Sequence, residues 1–84
     1  MAINVIVVDD SKPDRIRLIE LLKHFEKIKI IAEEGDPEKA ITKILNLKPE
    51  LIFLDIEMPK FSGFDIVDAI NKEGFFPTII IVTA

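Results

Sequence analysis

The sequence predicts an α/β protein with a doubly wound parallel sheet, because short apolar runs alternate with amphipathic segments of helical period. Continuous apolar runs are typical of strands that are buried on both faces of such a sheet. Four runs have this character: Ile3–Val8, Lys29–Ala32, Leu51–Leu54 and Thr78–Val82. Helical segments separate them, so the predicted order is βαβαβαβ with a crossover helix between consecutive strands.

The first helix is predicted from a start signal and a spaced apolar stripe. Ser11 can cap its N-terminus, Pro13 fits the first turn, and Asp14 follows Ser11 at capping-box spacing, with Asp in place of the commoner Glu. Apolar residues then recur at helical spacing to Phe25, near which the helix is expected to end. They are Ile16, Ile19, Leu22 and Phe25.

The other two helices are delimited in similar ways. The dipeptide Asp36–Pro37 supplies a cap and a first-turn residue for the second helix, which Pro49 closes. A loop is predicted over Glu57–Gly63, and a third helix then starts near Phe64 and stops near Gly74.

Composition narrows the class of protein. The chain has 84 residues, which is enough for one small domain, here 1–84. Its formal net charge of -4 disfavours non-specific binding to nucleic acid or to an anionic membrane surface. The absence of cysteine excludes a disulfide framework and a thiolate metal site. No apolar stretch has the ~20 residues of a membrane span, so a cytoplasmic location is expected.

Three aspartates follow directly after predicted strands. Asp9 and Asp10 come after Ile3–Val8, and Asp55 comes after Leu51–Leu54. Because the carboxyl ends of parallel strands form one crevice, the three carboxylates are expected to lie together. Alone they would repel one another and raise each other's pKa, whereas a hard divalent cation would bind them through oxygen. The alternative is a solvated strand end in which Asp10 helps to cap the first helix.

The last apolar run raises the question of what covers it. Only Thr83 and Ala84 follow Thr78–Val82 in the sequence. A buried parallel strand needs a cover on each face, and a long apolar edge strand tends to pair with another chain. We therefore expect the 84 residues to be a fragment of a larger unit, or to form a homodimer through the fourth strand.

Four segments together resemble the receiver (CheY-like) domain of two-component response regulators. They are Val7–Ser11, Pro49–Pro59, Ser62–Phe64 and Ile81–Ala84. Each segment alone is a weak signal, but their order and their positions at strand ends are specific. The resemblance implies a flavodoxin-like sheet of order 2-1-3-4, truncated before the fifth strand and last helices. The family's lysine at the end of that fifth strand, and an aromatic switch residue, would follow Ala84.

The resemblance also implies roles for individual residues. Asp55 would accept a phosphoryl group from a sensor histidine kinase, and Thr83 would be the switch hydroxyl that turns toward it. A magnesium ion, Mg²⁺, would be held by Asp10, Asp9 and Asp55 together with the backbone carbonyl of Glu57. Such a domain signals to an output domain.

The kind of output is suggested by two of the segments. Leu54–Pro59 and Ile81–Ala84 look most like regulators with a LytTR-type DNA-binding output. A transcription-regulating output domain is therefore expected in the parent protein, with no nucleic acid contact by this segment itself.

Two other functions stay open. A phosphatase with an aspartyl nucleophile would carry its second Asp two residues from the first, whereas Asp9 and Asp10 are adjacent. A self-associating fragment without signalling competence would follow from an uncovered fourth strand. The prediction is therefore not an enzyme, but a phosphoacceptor that assists its own phosphoryl transfer.

Overall fold

The structure, a computed structural model, describes residues 1–82 and contains four long parallel strands, one short hairpin and three helices. In chain order the elements are β1 (Ile3–Val8), α1 (Lys12–Leu22), β2 (Ile28–Glu34), α2 (Pro37–Leu47), β3 (Leu51–Asp55), β4 (Glu57–Met58), β5 (Phe61–Ser62), α3 (Gly63–Lys72) and β6 (Thr78–Val82). The long strands form a sheet of order β2-β1-β3-β6 in which all neighbours are parallel. This confirms the predicted order 2-1-3-4, with β6 as the fourth strand.

The first helix is shorter than predicted. It begins after the N-cap Ser11, as expected, but its last residue is Leu22 and not Phe25. The N–H of Phe25 donates to the carbonyl of Leu22 in a turn, and the Phe25 side chain is 60% exposed. The apolar spacing therefore overstated the length of the helix, since Phe25 at its expected end is largely exposed.

The predicted loop over residues 57–63 contains regular structure. Strands β4 and β5 pair antiparallel in a hairpin, and Ser62 is the N-cap of α3. The Ser62 side chain accepts from the N–H of Phe64, while the Asp65 carboxylate accepts from the N–H of Ser62. This capping box starts α3 directly after the hairpin, slightly before the predicted start.

The sheet has a helical layer on each face, and β1 contributes to both. Its alternating residues point to opposite faces, which explains why Val5, Ile6, Val7 and Val8 are all buried. Helices α2 and α3 cover one face, where the buried cluster is Ile6, Val8, Ala40, Ile44, Ile52, Leu54, Met58, Ile66 and Ile70. Helix α1 covers the other face through a smaller cluster, Val5, Val7, Ile19 and Leu22.

Strand β6 is the most exposed strand of the described sheet. It pairs with β3 on one side, and its residues Ile80 and Ile81 are 42% and 40% exposed. The predicted fourth strand is thus apolar and partly exposed within residues 1–82, although Ile79 packs against the larger buried cluster. Within the same range, no helix is both long and apolar enough to cross a bilayer.

Candidate functional site

The three aspartates predicted to lie together do so at the carboxyl edge of the sheet. Strands β1 and β3 are parallel neighbours with Val8 opposite Leu54, so the residues that follow leave the sheet side by side. The carboxylate oxygens of Asp9, Asp10 and Asp55 lie within 4.8 Å of one another. The register of β1 and β3 therefore brings Asp55 to the adjacent pair Asp9 and Asp10.

Asp9 is the buried member of the cluster. The residue is 6% exposed, and Oδ1 accepts a hydrogen bond of 2.9 Å from the N–H of Ser11. Burial raises the pKa of Asp9, the Ser11 hydrogen bond opposes that rise, and the negative charge of Asp55 adds to it. The ionised carboxylate of Asp9 is therefore held at a free-energy cost, which a bound cation would offset.

Asp10 is the exposed member of the cluster. The structure does not support the alternative in which Asp10 caps the first helix, because the N-cap of α1 is Ser11. The Ser11 hydroxyl accepts from the N–H of Asp14 at 3.4 Å. Asp10 is thus available to bind a ligand from the solvent side.

Asp55 is half-buried at the end of β3, near the carboxylates of Asp9 and Asp10. Its Oδ1 accepts a hydrogen bond of 3.0 Å from the N–H of Glu57. This bond fixes the carboxylate and the turn that carries the Glu57 carbonyl. The Glu57 side chain is exposed, which is consistent with a role for its backbone only.

Gly63 has a role at this site that sequence reasoning did not assign. Its N–H donates to the carbonyl of Ile56 at 3.1 Å, which holds the start of α3 against the end of β3. A Cβ at Gly63 would lie 2.7 Å from the carbonyl oxygen of Asp55 and 2.8 Å from the Cα of Ile56. The close approach of the two backbones therefore requires glycine. Only the match to the motif pointed to Gly63 in the sequence.

The cluster opens onto a cleft of about 420 Å³ beside α1. Its walls are partly charged and partly apolar, with Asp9, Asp14, Arg17, Leu18, Leu21, Asp55 and Val82 lining it. Thr83, the predicted switch hydroxyl, lies outside the described residues. The site therefore combines a reachable carboxylate cluster with open space in front of Asp55.

The donor set fits a hard divalent cation such as Mg²⁺. All three side chains offer carboxylate oxygens, the ligand type that Mg²⁺ prefers. Burial raises the pKa of Asp9 and the charge of Asp55 adds to the rise, so a cation bound here would lower the cost of ionising this carboxylate.

Comparison with known proteins defines the family. The sequence pattern of the response regulator receiver domain matches residues 5–84. The chain therefore belongs to the receiver domain family of two-component response regulators. Domains of this family act with histidine kinases and with output domains.

One similar curated protein is a response regulatory protein of Yersinia pestis. The two are 40% identical over 82 residues, which is 98% of this chain and 34% of that protein. The chain thus spans about a third of the length of this relative. Other relatives include transcriptional regulatory proteins and protein-glutamate methylesterases.

Solved structures agree with the family and with the fold. The response regulator domain of Thermotoga maritima CheB superposes with a TM-score of 0.87 at 34% identity, covering 99% of this chain and 61% of that one. The CheY component of a CheX–CheY–BeF3–Mg complex from Borrelia burgdorferi gives 0.86 at 30% identity, covering 98% and 62%. The flavodoxin-like parallel sheet predicted from the sequence is thereby confirmed.

Proposed function

We propose that the chain receives a phosphoryl group on Asp55 from the phosphohistidine of a sensor histidine kinase. The observation that carries this proposal is the position of Asp55, which is half-buried, fixed through Oδ1 by the Glu57 N–H, and open to the cleft. One carboxylate oxygen attacks phosphorus while the bond from phosphorus to the histidine nitrogen breaks, and that nitrogen takes the electron pair. The chain is then a phosphoacceptor and not a turnover enzyme.

The cation site supports the same proposal. Asp9, Asp10 and Asp55 would hold Mg²⁺ together with the backbone carbonyl of Glu57. When bound, the ion supplies positive charge that neutralises the carboxylates and the transferred phosphoryl oxygens. The Borrelia protein is described with both BeF3 and Mg, and the same ligand chemistry is proposed here.

The response to phosphorylation is proposed from the family resemblance. Thr83 would be the hydroxyl that turns toward the phosphoryl oxygen. The resulting change would be read by an output domain that binds DNA, since relatives include transcriptional regulatory proteins. Because other relatives are protein-glutamate methylesterases, the alternative is an output domain with enzymatic activity. A cytoplasmic location follows from a kinase partner of this kind.

Phosphorylation of the full protein tests the proposal directly. We expect intact-mass spectrometry to show one added phosphoryl group after incubation with phosphoramidate and Mg²⁺, and none in EDTA. Asp55→Asn should abolish the addition, because the amide is not a nucleophile for this transfer. Asp68→Asn makes the same charge change on an exposed residue of α3 and should leave the addition intact. Equal labelling of Asp55→Asn and wild type would refute the assignment.

A second candidate function is self-association through β6. The apolar, exposed residues Ile80 and Ile81 favour it, because an uncovered apolar edge strand can pair with a second copy. Sedimentation velocity at increasing protein concentration should then show a dimer. Ile80→Lys should weaken the dimer, whereas Leu47→Lys, at an exposed apolar residue of α2, should not. A monomer over the whole concentration range would exclude this function.

A further inference from the structure

Arg15 connects helix α1 to the carboxyl edge of the sheet. Its side chain is only 14% exposed, because the guanidinium turns back from the helix toward the strand ends. Nε donates to Oε1 of Glu33 at 2.7 Å, and Nη1 donates to the backbone carbonyl of Asp9 at 2.6 Å. The planar guanidinium presents these donors at fixed angles. Arg15 thereby ties α1, the end of β2 and the loop after β1 to one another.

The carbonyl that Arg15 binds belongs to the peptide unit between Asp9 and Asp10. Because this unit is planar, the direction of its carbonyl sets the direction in which Asp10 leaves the strand. The rest of Asp9 is also fixed: its N–H donates to the carbonyl of Glu34 at 3.1 Å, and its carboxylate accepts from Ser11. The bond from Arg15 therefore orients the plane that joins two of the three acidic residues.

The lack of a side chain at Gly35 leaves room for the guanidinium of Arg15 to reach the Asp9 carbonyl. A Cβ at Gly35 would lie 2.8 Å from Nη1 of Arg15 and 3.4 Å from the carbonyl oxygen of Asp9. A side chain at this position would thus enter the space in which the two atoms meet. The turn after β2 leaves that space free only because residue 35 is glycine.

We propose that Arg15 is a positioning residue for the cation site, acting through the Asp9–Asp10 peptide unit. The inference rests on the proposed Mg²⁺ site and assigns Arg15 no contact with the ion or the phosphoryl group. Charge alone predicts the opposite effect, since a nearby guanidinium repels a divalent cation. Loss of positioning weakens Mg²⁺ binding, whereas loss of repulsion strengthens it, so the sign of the change separates the two roles.

The test compares Arg15 with Lys23, the cationic residue that caps the other end of α1, in the full protein. Calorimetric titration with Mg²⁺ should give an affinity about tenfold lower for Arg15→Ala, as for other residues that support metal ligands. Lys23→Ala removes the same charge from a side chain that is 63% exposed, pairs with Glu20 at 3.4 Å and does not line the cleft. It should bind Mg²⁺ as tightly as wild type or slightly more tightly. Denaturant unfolding without Mg²⁺ measures the stability of each variant separately.

Two milder variants keep the inference testable if Arg15→Ala does not fold. Arg15→Lys keeps the charge but can reach only one of the two acceptors, so its Mg²⁺ affinity should fall between wild type and Arg15→Ala. Gly35→Ala should lower the affinity through displacement of the Arg15 guanidinium, although residue 35 touches no proposed ligand side chain. In both, the Mg²⁺-induced shift of the Asp10 amide resonance should be smaller than in wild type.

Failure of the proposed Mg²⁺ site and failure of the positioning role of Arg15 would give different results. Wild-type protein that binds no Mg²⁺ would overturn both this inference and the proposed cation site. Mg²⁺ binding by folded Arg15→Ala at or above the wild-type affinity would overturn the positioning role alone. If only Arg15→Lys folds, wild-type affinity in that variant would have the same consequence.

Discussion

Two groups of carboxylates lie at the same edge of the sheet and differ in how their charge is balanced. The group at the ends of β1 and β3 has oxygens within 4.8 Å of one another and consists of Asp9, Asp10 and Asp55. At the end of β2, by contrast, each glutamate has a cationic partner. Glu33 pairs with Arg15 at 2.7 Å, and Glu34 pairs with Lys43 at 2.8 Å.

The pKa shifts of Asp9 and Glu34, one residue of each group, have opposite signs. The hydrogen bond from Lys43 lowers the pKa of Glu34, and the N–H groups of Asp36 and Gly35 lower it further against the effect of burial. Burial raises the pKa of Asp9, and the charge of Asp55 adds to the rise. The ion-paired glutamates form the partnered group, and the three aspartates, which have no ion pair among residues 1–82, form the unpartnered group. The ionised form of Glu34 therefore stabilises the fold, whereas the ionised form of Asp9 costs stability and is suited to bind a cation.

Removal of a negative charge from the unpartnered group should have the largest effect on Mg²⁺ affinity and on stability. Asp9→Asn keeps an oxygen to accept from the Ser11 N–H but no longer offers a carboxylate. We expect Mg²⁺ affinity to fall by about tenfold or more, since even the groups behind metal ligands change affinity by about 10–100-fold. Without Mg²⁺ the variant should be more stable than wild type at neutral pH, because a buried charge has been removed.

The matched control is Glu34→Gln, which removes one negative charge from the partnered group. It should lower stability and leave Mg²⁺ affinity close to that of wild type. Calorimetry with Mg²⁺ and urea unfolding in EDTA measure the two quantities. If Asp9→Asn and Glu34→Gln changed stability in the same direction, the distinction between the two groups would be wrong.

Removal of Lys43, the cationic partner of Glu34, should have a smaller effect on stability. Lys43→Ala leaves Glu34, whose side chain is 15% exposed, without its ion pair. Since the Lys43 side chain is 41% exposed, solvent screens the pair, and we expect a loss of about 0.5–1 kcal/mol in the free energy of unfolding. The exposed pair of Lys23 and Glu20 provides the control. Lys23→Ala should change stability by less, and an equal loss in both variants would argue against a special role for Lys43.

Much of the fold follows from local patterns. The apolar run at Val5–Val8 predicts a strand buried on both faces, and Ser11 and Asp36 predict helix starts that the structure confirms. The hairpin β4–β5 was not predicted because its strands have two residues each, too few to show a period. Its turn includes Lys60 with a φ of 62°, a conformation for which sequence reasoning expects Gly or Asn.

The candidate site was only partly predictable for a different reason. Asp9, Asp10 and Asp55 each end a strand, so parallel topology alone brings them together. The role of Arg15 depends on which strand lies beside β1, because its two acceptors are six residues before it and eighteen residues after it. The space at Gly35 depends on the same packing. No local pattern in the sequence carries this information.

The smallest expected difference between the two groups is in how stability depends on pH. The direction of each pKa shift, for Asp9 and for Glu34, gives the sign of that dependence. Asp9 has a pKa raised above its ordinary 3.8, so its contribution to stability is present at low pH and is lost as the pH rises through the raised value. Glu34 has a pKa lowered from 4.5, so its contribution is present above 4.5 and is lost as the pH falls through the lowered value.

Urea unfolding of wild type, Asp9→Asn and Lys43→Ala in EDTA, repeated from neutral to acidic pH, tests this order. The stability gained in Asp9→Asn should shrink first, because the wild-type carboxyl becomes neutral at its raised pKa and then resembles the amide. The stability lost in Lys43→Ala should persist over that interval and shrink only at lower pH, when Glu34 is protonated in the folded protein as well. If the two differences vanished in the reverse order, Asp9 would have to be the better compensated carboxylate, contrary to its buried place among like charges.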